Sequence, residues 1–281
     1  MGTSTVLLLS DIHANSKVGI CPPVVNLYKG GTYRATRPQM WLYSRMLELR
    51  DETAEARDRA GGRLIVMLNG EICDNNKHSV YDLIELHPDY QMAVGIEAIR
   101  PILELVDKTR GDLIFVTRGT EAHSGPDSWM DNKIGADIGA VESVSADKTT
   151  LNSFDILAVN IDGVLFNVAH HPPFGPGRMP HTKELYATKL AAHAFMSAAK
   201  AGEKPPDIYA RGHYHVAGDS YDAYPTRALA LPSWQFPTSF VHRLGGERPE
   251  PTGGVIVTTD RGKCEVKRHL YHWPIRKYEA I

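Results

Sequence analysis

Residues 5–13 read Thr5-Val6-Leu7-Leu8-Leu9-Ser10-Asp11-Ile12-His13. The apolar run Val6 to Leu9 stops abruptly at a polar segment carrying a carboxylate and an imidazole. A short stretch apolar on both alternating faces fits a strand covered on both sides, as in an α/β sheet. The polar residues then fall where the strand runs out. The same grammar recurs along the chain. Arg63–Leu68 ends in Asn69-Gly70-Glu71, and Asp112–Thr117 in Arg118-Gly119-Thr120-Glu121. Val164–Ala169 ends in His170-His171-Pro172-Pro173, and Asp207–Ala210 in Arg211-Gly212-His213-Tyr214-His215. Ligands of open α/β sheets gather beyond the carboxyl ends of strands. These ends, brought together, would converge carboxylates and several imidazoles on one spot.

Between the strands, helical patterns alternate. Arg37 to Ala60 carries Leu42, Met46, Leu49 and Thr53 near one face, and Gly61-Gly62 stops it. Met92, Ile96, Ile99, Leu103 and Val106 recur at helical spacing, with Pro101 predicting a kink or break. Asp162-Gly163 between Ile156–Ile161 and Val164–Ala169 predicts a hairpin. Thr182 to Lys200 reads as an Ala-rich helix capped by Thr182, and Ala228–Leu231, Gly253–Thr259 and Cys264–Leu270 read as strands. The expected fold is α/β with a central mixed sheet, in a single domain over 1–281. Insertions are expected around 14–37 and 124–150, and a strand-rich extension over 216–281.

Composition narrows the function. The 281 residues hold 31 Lys+Arg against 33 Asp+Glu, a formal charge of −2. That balance argues against salt-driven binding to long nucleic acid or anionic membrane. Three cysteines without a CxxC pair offer no disulfide framework and no all-thiolate zinc site. A reducing, cytoplasmic location is the expectation. The first apolar run is too short for a signal peptide, and no run suits a membrane span.

Imidazole and carboxylate without thiolate suit Zn²⁺, Mn²⁺ or Fe rather than Ca²⁺ or a structural zinc. Each cluster alone has a plainer reading. Asp11 and His13 are a common pairing, Glu71 fits a solvated turn with Asp74 as a helix N-cap, and Glu121 and His123 fit an ordinary loop. His170-His171-Pro172 is more specific, because proline holds the preceding residue extended. Gly212-His213-Tyr214-His215 is more specific again, since alternate residues of extended chain face one side. Jointly, all at strand ends, they point to a metal centre.

Asp11-x-His13, Gly70-Glu71-x-x-Asp74, Gly119-Thr120-Glu121, His170-x-Pro172 and Gly212-His213-x-His215 resemble the five blocks of the calcineurin-like metallophosphoesterases, over residues 5–216. The first and last blocks match well. The family's second block is Gly-Asp-x-x-Asp, so Glu71 replaces an aspartate. Its third is Gly-Asn-His-Asp/Glu, whereas here Thr120 and Glu121 follow the glycine and the histidine, His123, comes two positions late. The resemblance implies a central mixed β-sheet sandwich flanked by helices, with the active site at the C-terminal ends of strands, and two divalent metal ions. Asp11, His13, Glu71 and His215 would hold the first. Glu71, His170 and His213 would hold the second, with Thr120 or Glu121 completing it. His123 and Glu121 would be the catalytic pair, with His123 as proton donor or phosphate contact, and His171 would lie in the surrounding shell, within reach of substrate.

The implied activity is phosphoester hydrolysis by a metal-activated water, as a phosphodiesterase on a nucleotide or a short single-stranded nucleic acid. The alternative is a divergent, non-catalytic metal-binding or scaffold member. A metallo-β-lactamase-type His-x-His-x-Asp-His run and a Gly-x-Ser-x-Gly elbow are both absent from the sequence. Arg34, Arg37, Arg118, Arg178 and Arg211 are candidate phosphate contacts. Trp234, Phe236 and Phe240 either stack a base or pack a core. The basic, aromatic segment Lys267-Arg268-His269, Tyr271-His272-Trp273 and Arg276-Lys277-Tyr278 either binds nucleic acid or a partner subunit, or forms a last strand packed on the surface.

Overall fold

A computed structural model describes residues 2–75, 82–145, 147–177, 180–238 and 250–274. Strand β1 (Thr3–Ser10) lies in the middle of a five-stranded sheet. On one side it pairs in parallel with β4 (Arg63–Asn69), which pairs in parallel with β5 (Leu113–Thr117). On the other side β13 (Thr252–Asp260) runs antiparallel to β1, and β14 (Lys263–Tyr271) antiparallel to β13. In a second five-stranded sheet β10 (Ile208–Arg211) is central and parallel to both β9 (Val164–Ala169) and β12 (Arg227–Ala230). The edges are β8 (Leu157–Ile161) and β11 (Gly218–Asp219), both antiparallel to their neighbours. Short hairpins lie in the two expected insertions: β2 (Val24–Asn26) with β3 (Thr32–Arg34), and β6 (Ser143–Val144) with β7 (Thr150–Leu151).

The alternation along β1 explains the layering. Val6 and Leu8 face the second sheet and pack with Ile65, Met67, Phe166, Val168 and Ile208. Leu7 and Leu9 face the other way, into a core shared with α1 (Arg37–Ala60), α2 (Pro88–Leu103) and α4 (Trp129–Ile138). The short α3 (Glu121–Ser124) precedes α4. Beyond the second sheet, Tyr186, Leu190 and Ala191 pack on Tyr209, Ala228 and Ala230. They belong to α6 (Tyr186–Ala201), which follows α5 (Pro180–Glu184). The result is helix, sheet, sheet, helix: the flanked mixed sandwich that the resemblance implied. Val6, Leu7, Leu8 and Leu9 are fully buried. Burying each such side chain contributes about 1.5–3 kcal/mol.

The Asp162-Gly163 hairpin forms, with both residues at positive φ (52° and 93°), the sign that a two-residue turn between twisted strands needs. Two helix expectations are corrected. Pro101 does not divide α2, which ends two residues later at Leu103, where little helix remains for the missing N–H to disrupt. Val106 lies beyond that end. Thr182 sits inside α5 rather than capping a long helix, because Leu185 at ψ 0° interrupts the helical run. No helix among the described residues is long and apolar enough to cross a membrane.

Candidate metal centre

Where the parallel strands end, the backbone bends sharply. Asp11, His13, Glu71, His213 and His215 all have φ between 48° and 73°. That left-handed region is strained for residues with a β-carbon, at of order 1–3 kcal/mol each, and such strain clusters at functional sites. The extended geometry expected for His213-Tyr214-His215 is therefore not found. The two histidines serve different groups of ligands instead of one face. The crossing of the two sheets' strand ends depends on Gly212. A β-carbon there would stand 2.1 Å from Ser10 Oγ and 2.6 Å from Asp11 Oδ2.

Two sets of ligand atoms meet at Glu71. Asp11, His13, Glu71 and His215 form the first, and Glu71, His170 and His213 the second. In the first, His13 Nε2 is 3.0 Å from Glu71 Oε2 and 3.1 Å from His215 Nε2, and His215 Nε2 is 3.2 Å from Asp11 Oδ1. In the second, His170 Nε2 is 3.3 Å from Glu71 Oε1. The two oxygens of one carboxylate thus face two sets of imidazoles. His170 Nδ1 donates to the Asn69 carbonyl at 2.9 Å, leaving Nε2 as the ligating nitrogen. That nitrogen is buried and has no hydrogen-bond partner. A ring fixed through one nitrogen, with the other bare beside carboxylates, is the usual setting of a metal ligand. The donor set therefore fits a divalent transition metal or zinc.

The surroundings orient the carboxylates. Asp11 accepts from the Ser10 hydroxyl and, at 3.1 Å to each oxygen, from the His213 N–H. Glu71 Oε1 accepts from the Thr120 hydroxyl and, at 3.2 Å, from the Thr120 N–H. Buried Asp131 of α4 accepts from the N–H groups of Glu71, Ile72 and Gly119 at 3.2, 3.2 and 2.8 Å, tying two strand ends together. Burial alone would push Glu71 up, but His170 and His13 hold it well below the usual carboxylate range. Asp11 is likewise held low, by His170 and His215 against its burial. Burial opposes the charged form of His170 too, yet Glu71 and Asp11 raise it to about 9. His13 is raised well above its ordinary value, chiefly by Glu71 and then Asp74, against the burial that would lower it. A cation would take the place of these protons.

The remaining candidates divide. His123 reaches the centre because α3 turns the chain back: its ring lies edge-on to that of His13, with centroids 4.7 Å apart. Its Nδ1 is 2.9 Å from Asp74 Oδ1. Asp74 is a buried carboxylate that also lies 3.6 Å from His13 Nδ1; the helix it was expected to cap falls outside the described residues. Thr120 orients Glu71. Glu121 is exposed and accepts from the Asp127 N–H at 3.4 Å, outside the ligand groups. His171 stands at the surface, its ring centroid 5.3 Å from that of His213. Arg118 faces Asp127 and Asp155 at 3.2 and 3.4 Å. Arg211 is not a substrate contact. It is buried, bonded to Asn167 and stacked 3.6 Å over the Tyr209 ring, because its side chain leaves β10 toward α6.

The base-stacking alternative for Trp234 and Phe236 is also overturned. Trp234 is fully buried in the core shared with α1 and α2, its backbone N–H donating to the Asp11 carbonyl at 2.8 Å. Phe236 packs against Trp41 and Trp273. Of the basic C-terminal segment, His269 and Tyr271 bond Glu52 of α1, and Arg268 pairs with Asp219. Up to Tyr271, that segment is the strand β14, packed on α1 and β13. Arg34 lies exposed on β3 and Arg37 begins α1. Arg178, Phe240, Arg276, Lys277 and Tyr278 lie outside the described residues. Sequence reading missed Asp131, which sits in the first turn of α4 with no neighbouring motif, and the orienting role of Asp74, which the Glu71-x-x-Asp74 spacing already held.

No family model and no curated protein matches the chain. Solved structures similar to it include a dimetal phosphatase from Danio rerio, at 11% identity and TM-score 0.45, covering 94% of this chain and 95% of that one. Vacuolar Protein Sorting 29 from Cryptosporidium parvum is 12% identical at TM-score 0.43, covering 97% and 100%. A 5'-nucleotidase from Candida albicans is 12% identical at TM-score 0.36, covering 94% and 50%. At such low scores the function has to be read from this chain's own residues.

Proposed function

We propose that this chain is a divergent calcineurin-like metallophosphoesterase that hydrolyses phosphodiesters with two divalent ions, Mn²⁺, Zn²⁺ or Fe. The observation that carries the reading is Glu71. One carboxylate presents Oε2 to His13 and Oε1 to His170, the second of which has a bare nitrogen. Asp11, His13 and His215 complete one ion's ligands, and His170 and His213 the other's. Bound there, the ions would lower the pKa of water and neutralise charge on the phosphate. The protein's own contribution to the chemistry is a proton. Asp74 fixes Nδ1 of His123 as the N–H, so Nε2 is left for the substrate. With both ring nitrogens protonated, His123 gives its Nε2 proton to the departing oxygen and is left as the neutral Nδ1–H tautomer facing Asp74. No covalent link between enzyme and substrate is required.

The test pairs metal analysis with turnover. Purified protein is assayed on phosphomonoesters, phosphodiesters, cyclic nucleotides and single-stranded DNA with Mn²⁺, Zn²⁺ or Mg²⁺, and with EDTA. The expected result is two equivalents of metal and diester hydrolysis that EDTA removes and metal restores, with His213→Ala inactive. A second reading, a non-catalytic metal-binding scaffold, draws support from Thr120. Its hydroxyl is committed to Glu71, which leaves the second group with three ligands. At most one equivalent of metal, with no turnover on any substrate, would establish that reading instead.

A further inference from the structure

We infer that Tyr214 is the platform on which the flat ring of a nucleotide substrate stacks, an inference that rests on the hydrolase reading above. Tyr214 lies between His213 and His215, which serve the two ligand groups, yet its side chain points outward and stays 40% exposed. Its ring is nonetheless held. The His213 ring meets it at a centroid distance of 4.8 Å and an interplanar angle of 66°, and Tyr186 meets it at 6.1 Å and 86°. The tip of the ring reaches the loop that follows His170. A β-carbon on Gly175 would stand 3.2 Å from both Cζ and the hydroxyl of Tyr214, so the absence of a side chain there lets the loop close against the tyrosine. That loop is stiffened by Pro172, Pro173 and Pro176.

Both ring neighbours make steep, edge-type contacts, so among the described residues no ring lies parallel on Tyr214. A part-exposed aromatic ring, held by its neighbours next to two of the candidate metal ligands and with no parallel ring on it, is a stacking surface prepared in advance. The exposed His171 ring also lies near His213, with centroids 5.3 Å apart. Aromatic stacking recognises the face that every base shares, so this surface selects a nucleotide over a simple sugar phosphate without choosing the base. It takes the place that Trp234 and Phe236 cannot fill from the core.

Isothermal titration of the Mn²⁺-loaded full chain with AMP, ribose 5-phosphate and inorganic phosphate tests this, because the first two differ only in the base. AMP is expected to bind about tenfold more tightly than ribose 5-phosphate, at the low end of what stacking one base contributes. Tyr214→Ala is expected to abolish that preference and Tyr214→Phe to keep it. Tyr221→Ala, which removes an exposed tyrosine elsewhere, should leave the preference intact. Equal binding of AMP and ribose 5-phosphate to the unaltered protein overturns the inference and leaves the hydrolase reading standing. So does a preference that survives Tyr214→Ala. If none of the three ligands binds, the hydrolase reading fails and this inference falls with it.

Discussion

Nδ1 of His123 lies 2.9 Å from Oδ1 of Asp74, a contact that joins the loop after β4 to the helix after β5. A carboxylate behind an imidazole fixes which nitrogen carries the proton and aims the other one. Asp74→Asn removes that control with little change in shape. Turnover is expected to fall about 10–100-fold, as for other orienting partners of reactive histidines. The loss should grow with the pKa of the leaving alcohol, and His123→Ala should steepen the same dependence. A loss independent of the leaving group would assign the pair to metal binding alone, through the contact of Asp74 with His13.

Without metal, the protein should have a narrow pH range of greatest stability. Glu71 is held well below its ordinary 4.5, so its contribution is complete above that pH and lost as pH falls further. His170 is raised from 6.5 to about 9, so its contribution is complete below 6.5 and lost as pH rises toward 9. The urea midpoint in EDTA is expected to plateau between those limits, 4.5 and 6.5, and to decline on either side. Mn²⁺ at about a hundred times its Kd should add about 2.7 kcal/mol, most usefully above the plateau where the ligands are free of protons. A midpoint that is flat from pH 5 to 9 in EDTA would show that the imidazoles and carboxylates do not face one another.

Gly212→Ala brings a β-carbon within 2.1 Å of Ser10 Oγ. Such overpacking costs about 1–3 kcal/mol. Because the clash is with the strand end that carries Asp11, metal affinity should fall along with stability. Urea titration and calorimetric metal binding of the variant measure both. Unchanged metal affinity would mean that the two sheets' strand ends do not cross here.

The layers of the fold were legible in the sequence because β1, β4 and β9 are short apolar runs closed by abrupt polar ends. The meeting of Asp11, Glu71, His170, His213 and His215 was legible for the same reason. What escaped was set by tertiary packing. Asp131 sits inside a helix, where nothing local distinguishes it from a surface carboxylate. Arg211 closes an apolar strand and precedes the glycine of the Gly-His-x-His block, yet strand alternation turns it toward α6 and Tyr209. Trp234 looked open to ligand beside its prolines, but its backbone holds Asp11 and its indole lies in the core shared with α1 and α2. His123 lies two positions late for its motif, and only the single turn of α3 restores it.

Thiol reactivity offers an independent check on the packing. Cys21 and Cys73 are buried, with burial raising the Cys21 thiol to about 12, while Cys264 is exposed. One thiol should react with an aromatic disulfide reagent in the native protein and three after unfolding. Reaction of Cys73 in the native state would contradict the buried position assigned to the segment between Glu71 and Asp74.

The bridging position of Glu71 is tested most directly by anomalous diffraction from crystals soaked in Mn²⁺. Two peaks are expected on either side of its carboxylate, one among Asp11, His13 and His215 and the other between His170 and His213. A single peak at saturating metal, or a peak at His13, Asp74 and His123 with none beside His170, would contradict it.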